Sequence, residues 1–393
     1  MPASIVRHLV CLVLLSAPAA ALHAQRAVDG EGFVVCLGED TLAVERYSRS
    51  PTTLHSEIVL SAPAARRVTY TAALDSLGEV RSIELVVTSL VAGSPAPSLT
   101  RGVLQFRGDT ADVLLTIGDH TRVLKVPARP GSMPLAAFSH ALVEQAILRA
   151  ARLGRDSVAF DWVGMGAPVA YPAYVAQRSG NEVTVGLFDA PAVATMDAAG
   201  RMLALDGRAT TAKVEVQRVA APDLEHFARS FAAAEAVHGP VGQLSPRDTT
   251  WAAVGPAYLA VDYGRPSKRG RTVFGRLVPY GRVWRTGANA ATQFITDRTL
   301  SLAGRRVPAG RYSLWTIPRP DGATLIVNAR SGQWGTTHEP AYDVARVEMT
   351  REGLPEPVEQ FTITIEPAVE GGVLRLAWDG TSYIVPFSLD TLP

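Results

Sequence analysis

Short segments in which apolar and polar residues alternate, each followed by a turn sequence, recur along most of this 393-residue chain. A period of two is typical of a strand that buries one of its faces. Several turns carry Asp and Gly, for example D-S-L-G at residues 75–78 and D-A-A-G at residues 197–200, and such turns reverse the chain between neighbouring strands. The pattern therefore favours antiparallel sheets over units in which helices alternate with parallel strands.

Two segments of the N-terminal half have the periodicity of a helix instead. The first begins at Pro134 and ends at Gly154, and its apolar side chains fall on one stripe. The second, residues 223–237, is rich in Ala. Because an amphipathic helix has to cover a sheet, we predict that residues 27–237 form an α+β domain in which a strongly curved antiparallel sheet wraps a helix.

The pattern changes after residues 238–250, a stretch containing Gly and Pro that we predict to be a linker. Beyond it nine short strands follow one another without a convincing helix. The sequences P-D-G at residues 320–322 and D-G at residues 379–380 each predict a tight hairpin between two of these strands. Short strands in such a series are typical of a β-sandwich, so residues 251–393 are predicted to form an all-β, sandwich-like domain.

The N-terminus has the three parts of a secretory signal peptide. Arg7 supplies the positive charge, residues 9–15 the apolar core, and residues 17–24 the small side chains of a cleavage zone. We expect residues 1–24 to be removed by cleavage after Ala24, with Ala21 as the alternative. No segment is long and apolar enough to span a membrane, so we expect a secreted or periplasmic protein without a transmembrane segment.

The charges of the chain are balanced overall but unevenly distributed. Removal of the signal peptide takes away one basic residue and leaves 37 basic against 37 acidic residues. A neutral chain has little general affinity for nucleic acid or for an anionic membrane, so we expect neither as a partner. Residues 262–311, however, contain eleven Arg and Lys against two Asp.

The densest part of this basic region, residues 262–289, interleaves seven cations with four aromatic residues. Guanidinium groups hold carboxylates or phosphates by paired hydrogen bonds, and aromatic faces stack on sugars. We therefore predict a surface that binds a small anionic molecule or a glycan. Its candidate ligand-binding residues are Arg265, Lys268, Arg271, Tyr280, Trp284, Arg285, Asn289 and Trp334.

The same residues also have a purely structural interpretation. In it Trp284 and Phe274 belong to the core of the C-terminal domain, Arg285 hydrogen-bonds loop carbonyls, and the remaining cations are solvated. Trp334 then closes one end of the domain, because an exposed indole is costly without a partner.

Several strings in the C-terminal half resemble one bacterial family that is often secreted, the domain of unknown function 2911. They include Y-G-R-P-S-K-R-G-R at residues 263–271, V-W-R-T-G-A-N at residues 283–289 and G-Q-W-G at residues 332–335. The resemblance covers residues 245–389 and implies a β-sandwich-like fold and a secreted or periplasmic location, but no reaction. The family pattern has Glu after the Asn of G-A-N, whereas this chain has Ala290.

The motifs of known catalytic and metal sites are missing from the sequence. It contains no G-x-S-x-G, S-x-x-K or H-E-x-x-H, and no two of the six histidines beyond the signal peptide lie two to four residues apart. We therefore predict no catalytic residue, no metal and no cofactor, although the sequence does not decide whether the protein is an enzyme.

Three functions are compatible with these patterns. The leading hypothesis is a non-catalytic, exported protein whose C-terminal domain binds a small anionic ligand or a glycan. The first alternative is a hydrolase of cell-wall or carbohydrate material that uses Asp262, Asp343 and Tyr280 as acid and base groups. The second alternative is a carrier that holds an apolar ligand inside the curved N-terminal sheet.

Overall fold

The structure is a computed structural model that describes residues 31–93, 99–166, 168–187 and 190–390. The polypeptide divides between residues 242 and 243 into two compact units, which we call the N-terminal and C-terminal units. The predicted signal peptide lies outside the described residues. Within them, neither α-helix has the length and hydropathy that crossing a bilayer requires.

The described strands of the N-terminal unit all belong to one sheet. They are β1 (Glu31–Leu37), β2 (Asp40–Arg49), β3 (Thr53–Leu60), β4 (Arg66–Leu74), β5 (Val80–Ser89), β6 (Leu99–Arg107), β7 (Thr110–Ile117), β8 (His120–Pro127), β9 (Met133–Leu135), β10 (Ser157–Gly164), β11 (Ala170–Gln177), β12 (Glu182–Leu187), β13 (Ala190–Met196), β14 (Met202–Asp206) and β15 (Glu215–Ala220). Their order across the sheet is β8-β7-β6-β5-β4-β3-β2-β1-β15-β14-β13-β12-β11-β10-β9. Neighbours run antiparallel except β9 and β10, which are parallel.

Two α-helices accompany this sheet in the described residues, α1 (His140–Leu153) and α2 (Leu224–His238). The hydroxyl of Ser139 accepts a hydrogen bond from the amide of Leu142 and so caps the first turn of α1. The predicted start at Pro134 is wrong, because Pro134 lies in β9 and Phe138 has a φ of 58°, which no helix can continue through. The carboxylate of Asp223 caps α2 in the same way.

The sheet of the N-terminal unit curls around α1. The helix contacts both β2 and β11, which are six strand positions apart in the sheet. In a flat sheet that separation is about 29 Å, which is far more than the diameter of one helix. Ten of the fourteen residues of α1 are buried as a result.

The prediction of an α+β N-terminal domain is wrong. In the described residues, helices of 14 and 15 residues stand against fifteen strands, so this unit is nearly all β. Several strands do not show the alternation that sequence analysis looks for. In β2, residues 42–45 are buried in succession because both faces of the strand are covered: Glu45 is bonded to α1 on one face, and Val44 packs against Leu224 and Ala228 of α2 on the other.

The C-terminal unit is built from a second sheet. Its described strands are β16 (Arg247–Val254), β17 (Ala257–Gly264), β18 (Thr292–Thr296), β19 (Leu300–Leu302), β20 (Arg305–Val307), β21 (Gly310–Pro318), β22 (Gly322–Asn328), β23 (Asp343–Ala368) and β24 (Gly371–Leu389). They follow the order β16-β17-β18-β21-β22-β23-β24-β19-β20, and all neighbours are antiparallel.

These nine strands form one sheet and not the two packed sheets of the predicted sandwich. The sheet folds over on itself, since β16 and β20 both contact the 26-residue strand β23. Large aromatic side chains fill the space inside, among them Phe361, Trp378 and Tyr383.

The two hairpin predictions of the C-terminal unit have opposite outcomes. The hairpin at residues 320–322 is confirmed, because it joins β21 to β22. The hairpin at residues 379–380 is wrong. Asp379 lies inside β24 with a φ of 53°, at an irregularity of the ladder between β23 and β24.

Candidate functional site

The sheet of the C-terminal unit has two faces of different character. In β17, Leu259, Val261 and Tyr263 point into the aromatic core. The alternate residues, Tyr258 and Asp262 among them, point the other way. We call this second side of strands β16, β17, β18, β21, β22 and β23 the outer face.

A line of polar residues crosses the outer face from strand to strand. Each member is the direct cross-strand partner of the next. The members of this polar row are Thr249, Asp262, Gln293, Ser313, Asn328 and Asp343. Three of them are almost fully buried, Gln293 at 6% and Ser313 and Asn328 at 0% exposure.

The buried part of the polar row is hydrogen-bonded to the loop at residues 330–342. The amide of Gly332 donates to Oε1 of Gln293 (2.9 Å), and Nε2 of Gln333 donates to Oγ of Ser313 (3.0 Å). The amide of Arg330 donates to Oδ1 of Asn328 (3.0 Å). Buried polar groups need such partners, so the row holds the loop against the sheet.

Asp343 ends the polar row in a cluster of donors. Its carboxylate accepts hydrogen bonds from Asn328 (2.8 Å) and Arg346 (2.7 Å), and Nε2 of His338 lies 2.9 Å from Oδ1. Burial raises the pKa of Asp343, but these hydrogen bonds outweigh it and hold the pKa below its usual value. The ring of His338 also packs against Trp315, with ring centres 5.1 Å apart.

The predicted ligand-binding residue Arg265 is occupied by contacts within the protein. Its guanidinium donates to the carboxylate of Asp248 (2.9 Å), to the carbonyl of Phe361 (3.2 Å) and to the hydroxyl of Thr362 (3.0 Å). It therefore ties the end of β17 to β16 and β23.

Lys268 and Arg271 have comparable roles in the loop after β17. The ammonium group of Lys268 pairs with the carboxylate of Asp379 in β24. The guanidinium of Arg271 donates to the carbonyls of Lys268 (2.9 Å) and Ser267 (2.8 Å) within its own loop. Each of these cations has its own partners within the protein, and their contacts do not converge on a shared hollow.

The predicted stacking residue Trp284 packs against the core. Its ring stacks on Trp378 with centres 6.0 Å apart and meets the edge of Phe361 at 5.0 Å. Its Nε1 donates to the carbonyl of Gly287 (3.1 Å). Phe274 meets Trp284 edge to face in the same cluster.

Arg285, Asn289 and Trp334 lie together beside Gly335. The carbonyl of Asn289 accepts a hydrogen bond from the amide of Gly335 (3.0 Å), and a side chain at Gly335 would collide with that of Arg285. Trp334 is 48% exposed. Tyr280 is separate from this group, with its ring over Gly275 and 38% of its surface exposed.

The acid and base groups of the hydrolase hypothesis do not meet. The carboxylate of Asp262 pairs with Arg247 (2.8 Å), while Asp343 is held by the cluster described above. The two carboxylates are four strand positions apart along the polar row, which is about 19 Å and beyond the separation of about 5–9.5 Å found in glycosidases. Within the described residues, no hydrogen bond links Tyr280 to either acid.

The side of the N-terminal sheet that faces α1 is filled by protein. Glu144 of α1 accepts hydrogen bonds from Tyr47 (2.7 Å), Arg49 (2.7 Å) and the amide of Met202 (2.8 Å), and it also pairs with Arg218. These contacts link the helix to β2, β14 and β15. The carrier hypothesis therefore has no support from the packing around α1.

The outer face also carries an exposed aromatic pair that was not predicted from the sequence. Trp251 on β16 and Tyr258 on β17 lie with ring centres 6.1 Å apart and ring planes within 25° of parallel. They are 64% and 45% exposed. The sequence signal was the alternation of Thr249, Trp251 and Ala253 in β16, a strand that was not predicted and whose residues 247–250 were assigned to the linker.

The described residues contain no group of three or more His, Cys, Asp or Glu side chains that could hold a metal ion. No curated protein matches the chain.

Two solved structures resemble about half of the chain. One is a DUF1089 family protein from Pseudomonas aeruginosa, 14% identical, with 47% of this chain and 95% of that chain covered and a TM-score of 0.31. The other is a β-barrel-like protein of the domain of unknown function DUF1849 from Brucella abortus, 13% identical, with 50% and 96% covered and a TM-score of 0.31. The C-terminal part of the chain, residues 245–387, matches the family model described as protein of unknown function (DUF2911), which confirms the resemblance predicted from the sequence strings.

Proposed function

We propose that this is an exported, non-catalytic protein that binds a glycan on the outer face of its C-terminal unit, at the pair formed by Trp251 and Tyr258. The observation that carries the proposal is the exposure of two large aromatic side chains side by side, 64% and 45%, on neighbouring strands. Apolar surface of this kind is costly in water unless a partner covers it.

The geometry of the pair suits a sugar ring. A nearly parallel indole and phenol present a continuous aromatic surface, and the C–H groups of a pyranose can pack on such a surface. Both side chains project from adjacent antiparallel strands of an extended ladder, so the platform is held rigidly. Rigid platforms lose little conformational entropy when they bind.

Polar groups lie next to the pair on the same face. Arg247 and Asp262 form an ion pair of 2.8 Å, and their side chains are 35% and 37% exposed. Thr249 is the cross-strand partner of Asp262 and is also exposed. These donors and acceptors can hydrogen-bond sugar hydroxyls beside the stacked ring. The predicted export of the chain would place this platform where extracellular or cell-wall glycans occur.

The test is a binding screen of the mature full-length protein against a panel of neutral and acidic glycans, measured by isothermal titration calorimetry and affinity electrophoresis. The double variant Trp251→Ala, Tyr258→Ala is expected to lose at least about tenfold in affinity, because stacking on an aromatic platform contributes on the order of 1–3 kcal/mol. Circular dichroism checks that the variant is folded.

Trp334→Ala is the matched control. It removes an indole that is 48% exposed on the 330–342 loop, and it should leave the affinity unchanged. The proposal is wrong if the wild-type protein binds no glycan of the panel. It is also wrong if the folded double variant binds as tightly as the wild type does.

A further inference from the structure

Resting on the proposed function, we infer that the glycan carries carboxylate groups and that Arg311 binds one of them. Arg311 lies on the outer face of β21, because its neighbour Tyr312 belongs to the core. Register places it in line with the aromatic pair: Trp251, Ala260, Ile295 and Arg311 are direct cross-strand partners on β16, β17, β18 and β21.

The space between Trp251 and Arg311 is low and apolar. Ala260 has the smallest side chain that an L-residue can carry, and Ile295 is partly buried. The two ends are three strand positions apart, about 14 Å along the sheet. An extended oligosaccharide lying across the strands can therefore stack on the aromatic pair at one end and reach the guanidinium at the other.

Arg311 is the cation of this face that is available for a ligand. It is exposed, and in the part of the chain that the structure describes its guanidinium has no hydrogen-bond or ion-pair partner. The other arginines near the polar row are engaged: Arg247 with Asp262, Arg330 with Glu339 and Arg346 with Asp343. A free guanidinium fork fits the two oxygens of a carboxylate.

The charges also determine which end of the oligosaccharide lies at Arg311 and which lies on the aromatic pair. Asp297 lies at the aromatic end, where its carboxylate accepts a hydrogen bond from the amide of Tyr258 (2.8 Å). An anionic group near this carboxylate would be repelled, whereas one beside Arg311 would be attracted. The sugar whose carboxylate contacts the protein therefore lies at the Arg311 end. The sugar that stacks on Trp251 and Tyr258 makes no contact through a carboxylate.

The experiment compares polygalacturonate oligomers with the same oligomers after complete methyl esterification, alongside a neutral glucan oligomer. The backbone is unchanged by esterification, so the difference reports the carboxylates alone. The wild-type protein is expected to bind the acid form about five- to tenfold more tightly than the ester, since the guanidinium forms a charge-assisted hydrogen bond with the carboxylate and only a neutral one with the ester. This preference should shrink as salt is added.

Arg311→Gln is expected to remove the preference and to leave binding of the ester form unchanged. Arg305→Gln is the matched control, because Arg305 is exposed on β20, which lies at the other end of the strand order from β16. The inference is overturned if the wild type binds acid and ester equally, or if Arg311→Gln keeps the preference. In both cases the proposed function stands as long as the Trp251 and Tyr258 double variant loses affinity. If no oligomer binds the wild type, the proposed function and this inference fail together.

Discussion

The carboxylate of Glu45 lies at the N-terminus of α1, where it accepts a hydrogen bond of 2.6 Å from the backbone amide of His140. The amide of Ala141 and the hydroxyls of Ser56 and Ser139 donate to the same carboxylate, which is fully buried. A side chain from β2 therefore satisfies two of the free amides of the helix. This contact joins α1 to the sheet that curls around it.

Replacing Glu45 with Ala should destabilise the protein strongly. The change leaves two amides and two hydroxyls buried without their acceptor, which costs about 3 kcal/mol of unfolding free energy. Urea denaturation followed by circular dichroism measures this loss. Glu84→Ala, on an exposed position of β5, serves as the control and should change the stability by less than about 0.5 kcal/mol. Equal effects of the two changes would contradict the assigned role of Glu45.

The Glu45→Gln variant tests the pH dependence of this site. Burial raises the pKa of Glu45 from 4.5, and its four hydrogen bonds lower the pKa by less. The folded state therefore holds the proton more tightly than the unfolded state does. The stability that the folded protein gains from this tighter proton binding is fully present below pH 4.5 and is lost as the pH rises through the raised pKa of Glu45.

Gln does not titrate, so the unfolding free energy of the wild type minus that of the variant should fall as the pH rises above 4.5. Denaturation curves at four pH values from 4.5 upward measure this difference. A difference that stays constant or rises with pH would show that the carboxyl is not more easily protonated in the folded state.

Arg265→Ala distinguishes a structural role from a ligand-binding role. The variant loses hydrogen bonds to Asp248, Phe361 and Thr362, and we expect a loss of about 1–2 kcal/mol in unfolding free energy after allowance for partial exposure. Arg265→Lys should recover part of it, because an ammonium group can still pair with Asp248. If the Arg265→Ala variant keeps its stability but loses glycan binding, the result would contradict the structural role and support a ligand-binding role for Arg265.

The two tryptophans that the sequence treated alike should behave differently. Trp284→Ala removes a ring packed among Phe274, Phe361 and Trp378 and should cost about 3 kcal/mol of unfolding free energy. Trp334→Ala removes a half-exposed ring and should cost less than about 1 kcal/mol. Thermal and urea unfolding of both variants measure the difference, and a reversed order would refute the assignment of Trp284 to the core.

Local features of the fold were accessible from sequence because their causes are local. The helix predicted at residues 223–237, which is capped by Asp223, and the turn at residues 320–322 depend on residues a few positions apart, and both occur within a residue of where they were predicted.

Features that need partners distant in sequence were mispredicted. Asp379 and Gly380 have the composition of a hairpin turn, yet the chain continues through them as a strand, with Lys268 paired to Asp379 across the unit. Glu45 interrupts the apolar pattern of β2 because a helix that begins 95 residues later supplies its donors. Neither partner can be read from the local pattern.

The sequence by itself determined that the chain is rich in antiparallel strands, that two helices interrupt them, and that residues 245–387 carry the strings of one family. Only the tertiary structure decided that each unit has one continuous sheet, that Arg265, Lys268 and Arg271 hold loops, and that Trp251 shares a line with Arg311. The physical reason is that periodicity and turn chemistry report interactions between near neighbours. Strand order and register are set by contacts between residues tens of positions apart, and these contacts bring the candidate binding residues together.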